Sequence, residues 1–148
     1  MSETHSTRIV VSKKHKIILN SFRNKVTYDL MTQASEEIWK HPDYERLFNG
    51  FIDFRGCDIS MNMIEVLKLV QFFVTNANSS KGFIVVLADK TDSVAKSFIF
   101  KSKLSKRMNL HVVGELSIAM RTLGISADIL DLLESPNAIF IEHKGFTA

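Results

Sequence analysis

The run Phe83-Ile84-Val85-Val86-Leu87-Ala88 constrains this chain more than any other segment. Six consecutive apolar residues without polar alternation read as a strand buried on both faces, as in the middle of a parallel sheet. Polar, turn-forming residues bracket it, Asn76 to Ser80 before and Asp89 to Ser93 after, and it is too short for a helix. A fold built on such a strand must cover its sheet on two sides. The same run is far too short to span a bilayer, so stable membrane association is not expected.

Strand and helix patterns alternate around this run. Residues 1–7 are polar and read as a loose tail. Arg8 to Ser12 and Ile17 to Phe22 read as two strands joined by Lys13-Lys14-His15, an antiparallel hairpin. Thr27 can cap a first helix whose face is marked by Leu30, Ala34 and Ile38, and which stops before His41-Pro42. Gly50 to Arg55 reads as a strand, Gly56 to Ser60 as a turn, and Ser60 as the cap of a second helix. On that helix Met63, Val66, Leu67, Val70, Phe73, Val74 and Ala77 form a broad apolar stripe. A third helix is expected to turn Val94, Ala95, Phe98, Ile99 and Leu104 inward. A strand at Leu110 to Val113 and a helix from Glu115 to Leu123 follow, closed by Gly124. Ser126 opens a short helix through Leu133, and Ala138 to Ile141 can be a last strand after Pro136. The alternation predicts an α/β fold: a mostly parallel sheet with an antiparallel N-terminal edge strand and right-handed crossovers. No repeat or linker interrupts residues 1–148, which predicts a single domain with a core at about 8–124 and an extension at 125–148.

Composition narrows the function classes. A chain of 148 residues with 45% hydrophobic and 24% charged residues is of ordinary globular make-up and can bury a sizeable core. Nineteen Lys and Arg against sixteen Asp and Glu leave a net charge of +3, too weak for a nucleic-acid footprint. Cys57 is the single cysteine and has no internal partner, which fits a reducing compartment. The opening Met1-Ser2-Glu3-Thr4-His5-Ser6 leads into no secretory apolar region, so a cytoplasmic location is expected.

At the level of order and spacing, the chain resembles the SpoIIAA-like superfamily. The closest likeness is to a small bacterial branch of STAS/SEC14-type domains without established activity. The residues that carry the likeness are His41-Pro42-Asp43-Tyr44 after the first helix, Gly50 through Ser60, Gly82 through Ala88, and Glu115 through Gly124. It covers about residues 8–124 and implies strands in sequential order, with helices wound as a β-α superhelix mainly on one face. STAS relatives antagonise anti-sigma factors or sit on anion transporters, and SEC14-type relatives carry lipids. A STAS regulator has an Asp-Ser-Ser-Gly-type phosphorylation motif where the second helix begins. This chain has Met61-Asn62-Met63-Ile64 there, with no hydroxyl. Ser60 is the nearest candidate, and no phosphorylation is expected.

Chemistry-bearing residues are sparse. The five histidines stand at no ligand spacing, so no metal site is expected. No glycine-rich phosphate loop or nucleophile elbow is present, which implies no cofactor. Cys57 lacks a local base and reads as a small buried hydrophobe. Ligands gather at the C-terminal ends of parallel strands, which singles out Asp53, Arg55 and Asp58 after one strand and Asp89, Thr91 and Asp92 after the next. Arg55 can hold an anion or simply pair with Asp53 or Asp89. Asp58 and Asp92 can simply favour helix N-termini. The third helix, with Lys96, Lys101, Lys103, Lys106 and Arg107, reads as a solvated basic face.

These readings point to a non-catalytic binding or regulatory module that acts through protein contacts. The alternative is a carrier of an apolar small ligand or lipid. Because both faces of the central strand are apolar, the side away from the helices needs a cover. The cover is either a homodimer or the extension itself, and a homodimer whose interface includes residues 125–141 is the one expected.

Overall fold

A computed structural model describes residues 2–146, with the backbone alone at 2, 3, 105, 145 and 146. Strands β1 (Ser2–Ser12) and β2 (Ile17–Arg23) form the hairpin, and β3 (Lys25–Val26) follows. The chain continues through α1 (Tyr28–Lys40), β4 (Asn49–Asp53), β5 (Asp58–Ile59) and α2 (Met63–Thr75). Then come β6 (Phe83–Leu87), α3 (Thr91–Leu104), β7 (Asn109–Val113) and α4 (Leu116–Leu123). A 3-10 segment, Ala127–Glu134, leads to β8 (Ile139–Phe146). The main sheet has the order β7-β6-β4-β2-β1-β8, and β3 pairs with β5 beside it. β2, β4, β6 and β7 run parallel, whereas β1 is antiparallel to both its neighbours; it is not the expected edge strand, because β8 pairs along its outer side and forms that edge. The chain is thus α/β with a mostly parallel six-stranded sheet.

β6 lies between β4 and β7, and Val85, Leu87 and Ala88 are fully buried. Its side chains alternate between two cores. Ile84 and Val86 join Leu30, Ile38, Leu69 and Phe73 on the side of α1, α2 and α3. Val85 and Leu87 join Met120 and Leu123 of α4 on the other side, together with Ile129 and Leu133 of the 3-10 segment. The second face of the sheet is therefore covered by α4 and by the chain's own extension.

Residues 2–7, expected as a loose tail, are strand. Ser6 and Thr7 pair with Arg23 and Phe22 of β2, and the whole segment pairs with β8. The polar lettering hides this because the inward residues are His5 and Thr7, both buried. Thr7 Oγ1 lies 2.6 Å from Asn20 Oδ1 and 2.9 Å from the Ser21 carbonyl.

Thr27 caps α1 as expected, its Oγ1 accepting the Leu30 N–H at 3.1 Å. Gly124 closes α4 at φ 67°, a left-handed conformation that glycine adopts without strain. Ser60 does not cap α2: its N–H donates to the Val26 carbonyl at 2.9 Å. Asn62 is the cap, and it forms a reciprocal box with Glu65. Asn62→Ala is expected to lower stability by about 0.5–2 kcal/mol. Ser60→Ala should stay within about 0.5 kcal/mol of the parent. Urea unfolding of the two variants side by side measures the difference.

Two helices are rotated from the expected faces. α2 turns Val66, Leu69 and Phe73 to the sheet and leaves Met63 and Leu67 about half exposed. Its apolar residues cover more than half its circumference, so periodicity does not select one face. α3 buries Ser93 and Ser97 and exposes Ala95 and Phe98. The small serines allow close approach, and their hydroxyls bond backbone carbonyls: Ser93 Oγ to Cys57 O, and Ser97 Oγ to Ser93 O, each at 2.7 Å. Two buried residues thereby look polar in the sequence.

Candidate functional site

β4 and β6 are parallel neighbours, so the loops at their C-terminal ends meet as expected. Asp53 closes β4 and accepts both the backbone N–H of Arg55 at 3.0 Å and its guanidinium, with Nη2 at 2.8 Å from Oδ2. That hydrogen bond raises the guanidinium pKa above its ordinary value, against a smaller opposing desolvation. Asp89 Oδ1 accepts the Gly56 N–H at 2.9 Å, where Gly56 turns at φ 71°. Asp58 pairs with Lys90 at 3.0 Å. Asp92, in the first turn of α3, pairs with Lys96 at 3.1 Å, so the basic third helix carries one compensating acid. Thr91 is exposed at the start of that helix. The structure thus brings Asp53, Arg55, Asp58, Asp89, Thr91 and Asp92 to one end of the sheet, with the charged ones engaged with neighbouring groups. The Asp53 side chain is 13% exposed, but each pair has at least one partner open to solvent, so each contributes little to stability.

Cys57 lies beneath this cluster, fully buried, with Sγ 3.2 Å from the Phe22 carbonyl. Burial, with Asp53 adding to it, pushes the thiol up to about 11. It is held as the thiol, the unreactive form. In the unfolded chain the thiol titrates near 9.0. Above that pH the unfolded chain releases a proton that the folded one keeps. This stabilisation is therefore complete below pH 9.0 and is lost as pH rises through about 11. Cys57→Ala should flatten that alkaline decline, read as the urea midpoint against pH in both proteins.

Arg55 also borders a polar cleft of about 650 Å³ on the sheet face beside the 3-10 segment. Arg8 and Arg23 line it with Glu134 and Glu142. Arg8 stacks over the Phe140 ring at 4.9 Å. Three cations against two carboxylates make a mixed-charge surface rather than an anion cradle. Sequence reading missed Arg8 and Arg23 because the cleft exists only once β8 pairs with β1.

An apolar chamber of about 70 Å³ lies under the opposite face, between the sheet and the helices α1 to α3. A second of about 40 Å³ adjoins it, the two sharing Met31, Ile52, Phe100 and Leu110 as walls. Among the described residues no group of three or more His, Cys, Asp or Glu stands close enough to hold a metal ion. None of the helices among them is long and apolar enough to cross a membrane. Set against family models, curated proteins and solved structures, the chain matches none.

Proposed function

We propose that this chain is a small, non-catalytic binding module of the SpoIIAA-like, STAS-like type, working in the cytoplasm through contacts with another protein. The observation that carries this reading is the outer surface of α2. Met63, Ile64 and Leu67 are 50%, 67% and 47% exposed on a single helix. Large apolar side chains grouped on one surface are a recognised mark of protein docking. The sheet order supports the STAS-like comparison. Parallel β2, β4, β6 and β7 follow one another in sequence, and antiparallel β1 lies outside them. The α4 and 3-10 cover on the second face, and β8 outside β1, go beyond that pattern. The pairing of charges at the strand ends and the protonated state of Cys57 support a non-catalytic role. Ile129 and Leu133 are buried in their own chain, so the extension itself supplies the cover expected of a homodimer through residues 125–141.

The test is a photo-crosslinking residue at position 64 in the native cell, with position 13, in the hairpin turn, as control. A discrete protein captured at 64 and not at 13, and lost when Leu67→Asp is added, supports the reading. Equal capture at both positions overturns it. The alternative reading, a carrier of an apolar small ligand, draws support from the chamber beneath α1 to α3.

A further inference from the structure

We propose that the chamber beneath α1 to α3 binds a short aliphatic molecule carrying one hydroxyl or carbonyl group, and that Asn20 anchors that group. The proposal rests on the carrier reading and narrows it. Asn20 stands in β2 between Ile18 and Phe22 on the same face, is only 3% exposed, and forms part of the chamber wall. Its bonding is incomplete within the protein. The Thr7 hydroxyl has one proton and two oxygens in reach, Asn20 Oδ1 at 2.6 Å and the Ser21 carbonyl at 2.9 Å. If Thr7 donates to Asn20, the amide nitrogen has no partner. If the amide is turned over, Asn20 donates to Thr7, Thr7 donates to Ser21, and the amide oxygen has none. In either orientation one amide atom of a buried side chain is left over.

The rest of the wall says what that atom can meet. Phe73, Ile84 and Phe100 are apolar, and the hydroxyls on the wall spend their protons elsewhere: Ser35 on the Met31 carbonyl at 2.9 Å and Tyr44 on the Asn78 carbonyl at 2.6 Å, while Ser80 Oγ lies 3.4 Å from the Arg46 and Phe48 carbonyls. A water molecule in such a site needs two to four polar partners. With those hydroxyl protons engaged, the wall offers water few free donors, so displacing it with an aliphatic group is favourable. The two spaces measure about 70 and 40 Å³, each above the ~10–15 Å³ that a single water needs. That suits a short chain with one polar end.

The experiment uses the full chain and two probes, xenon and 1-butanol, followed by amide chemical shifts. Xenon reads the apolar space alone, and 1-butanol adds a hydroxyl. We expect both to shift signals of β2, α1 and β6 saturably. In Asn20→Val, xenon should still bind while 1-butanol binds about tenfold or more weakly. Asn20→Ala supplies the same comparison if Asn20→Val does not fold. Equal 1-butanol binding with and without Asn20 overturns the anchoring role and leaves the carrier reading standing. Failure of both probes to enter the parent protein overturns the site and the carrier reading together.

Discussion

Val85→Asp is expected to leave no folded protein. Val85 is fully buried in a strand with neighbours on both edges, and it points into the core formed with Phe51, Met120 and Leu133. A carboxylate there is shut off from water, and its cross-strand neighbour in β7 is His111 rather than a lysine or arginine. The penalty of several kcal/mol for an unpaired buried charge, added to the lost apolar contact, rivals the 5–15 kcal/mol that holds a typical domain together. Phe98→Asp is the matched control, because Phe98 is 49% exposed and its replacement should shift stability by no more than about 0.5 kcal/mol. Near-ultraviolet circular dichroism and thermal melting decide between them. A cooperative native-like melt for Val85→Asp would show that the strand is not held as described.

Truncation after Gly124 is expected to be nearly as damaging. It removes Ile129 and Leu133, each of which contributes about 1.5–3 kcal/mol by burial. It also strips β8 from β1, leaving the hydrogen-bonding groups of a long strand bare. An uncovered apolar face beside an unpaired edge is a template for aggregation. Light scattering should report high-mass species or insolubility. A truncated chain that stays monomeric with the parent's circular dichroism would mean that α4 alone suffices as cover.

The parts of this fold that are legible in the sequence are those where one physical requirement dominates. β6 must be apolar on both faces, and Phe83 to Ala88 is. Thr27 and Gly124 sit where helix ends demand an acceptor side chain and a left-handed residue. What escapes notice are positions where local chemistry and tertiary placement disagree. Ser93 and Ser97 face inward because backbone carbonyls meet their hydroxyls. Met63 and Leu67 face outward because α2 has more apolar residues than the sheet can cover. The candidate site divides along the same line. The loops carrying Asp53 and Asp89 follow from parallel strand order alone. Asn20, Arg8 and Arg23 acquire meaning only from cross-strand register, which no local spacing records.

The pairing of Ser2 with Phe146 places the first and last described residues side by side on one antiparallel ladder. In such a ladder the hydrogen bonds lie perpendicular to the strands. A pull applied to these two ends would load the rungs one after another, as when a zipper is opened from its tab, rather than shearing them together. The molecule should therefore yield to tension from its ends at low force, with β8 peeling off β1 before the parallel strands bear any load. An optical trap gripping the same chain through residues in β2 and β7 should meet much greater resistance.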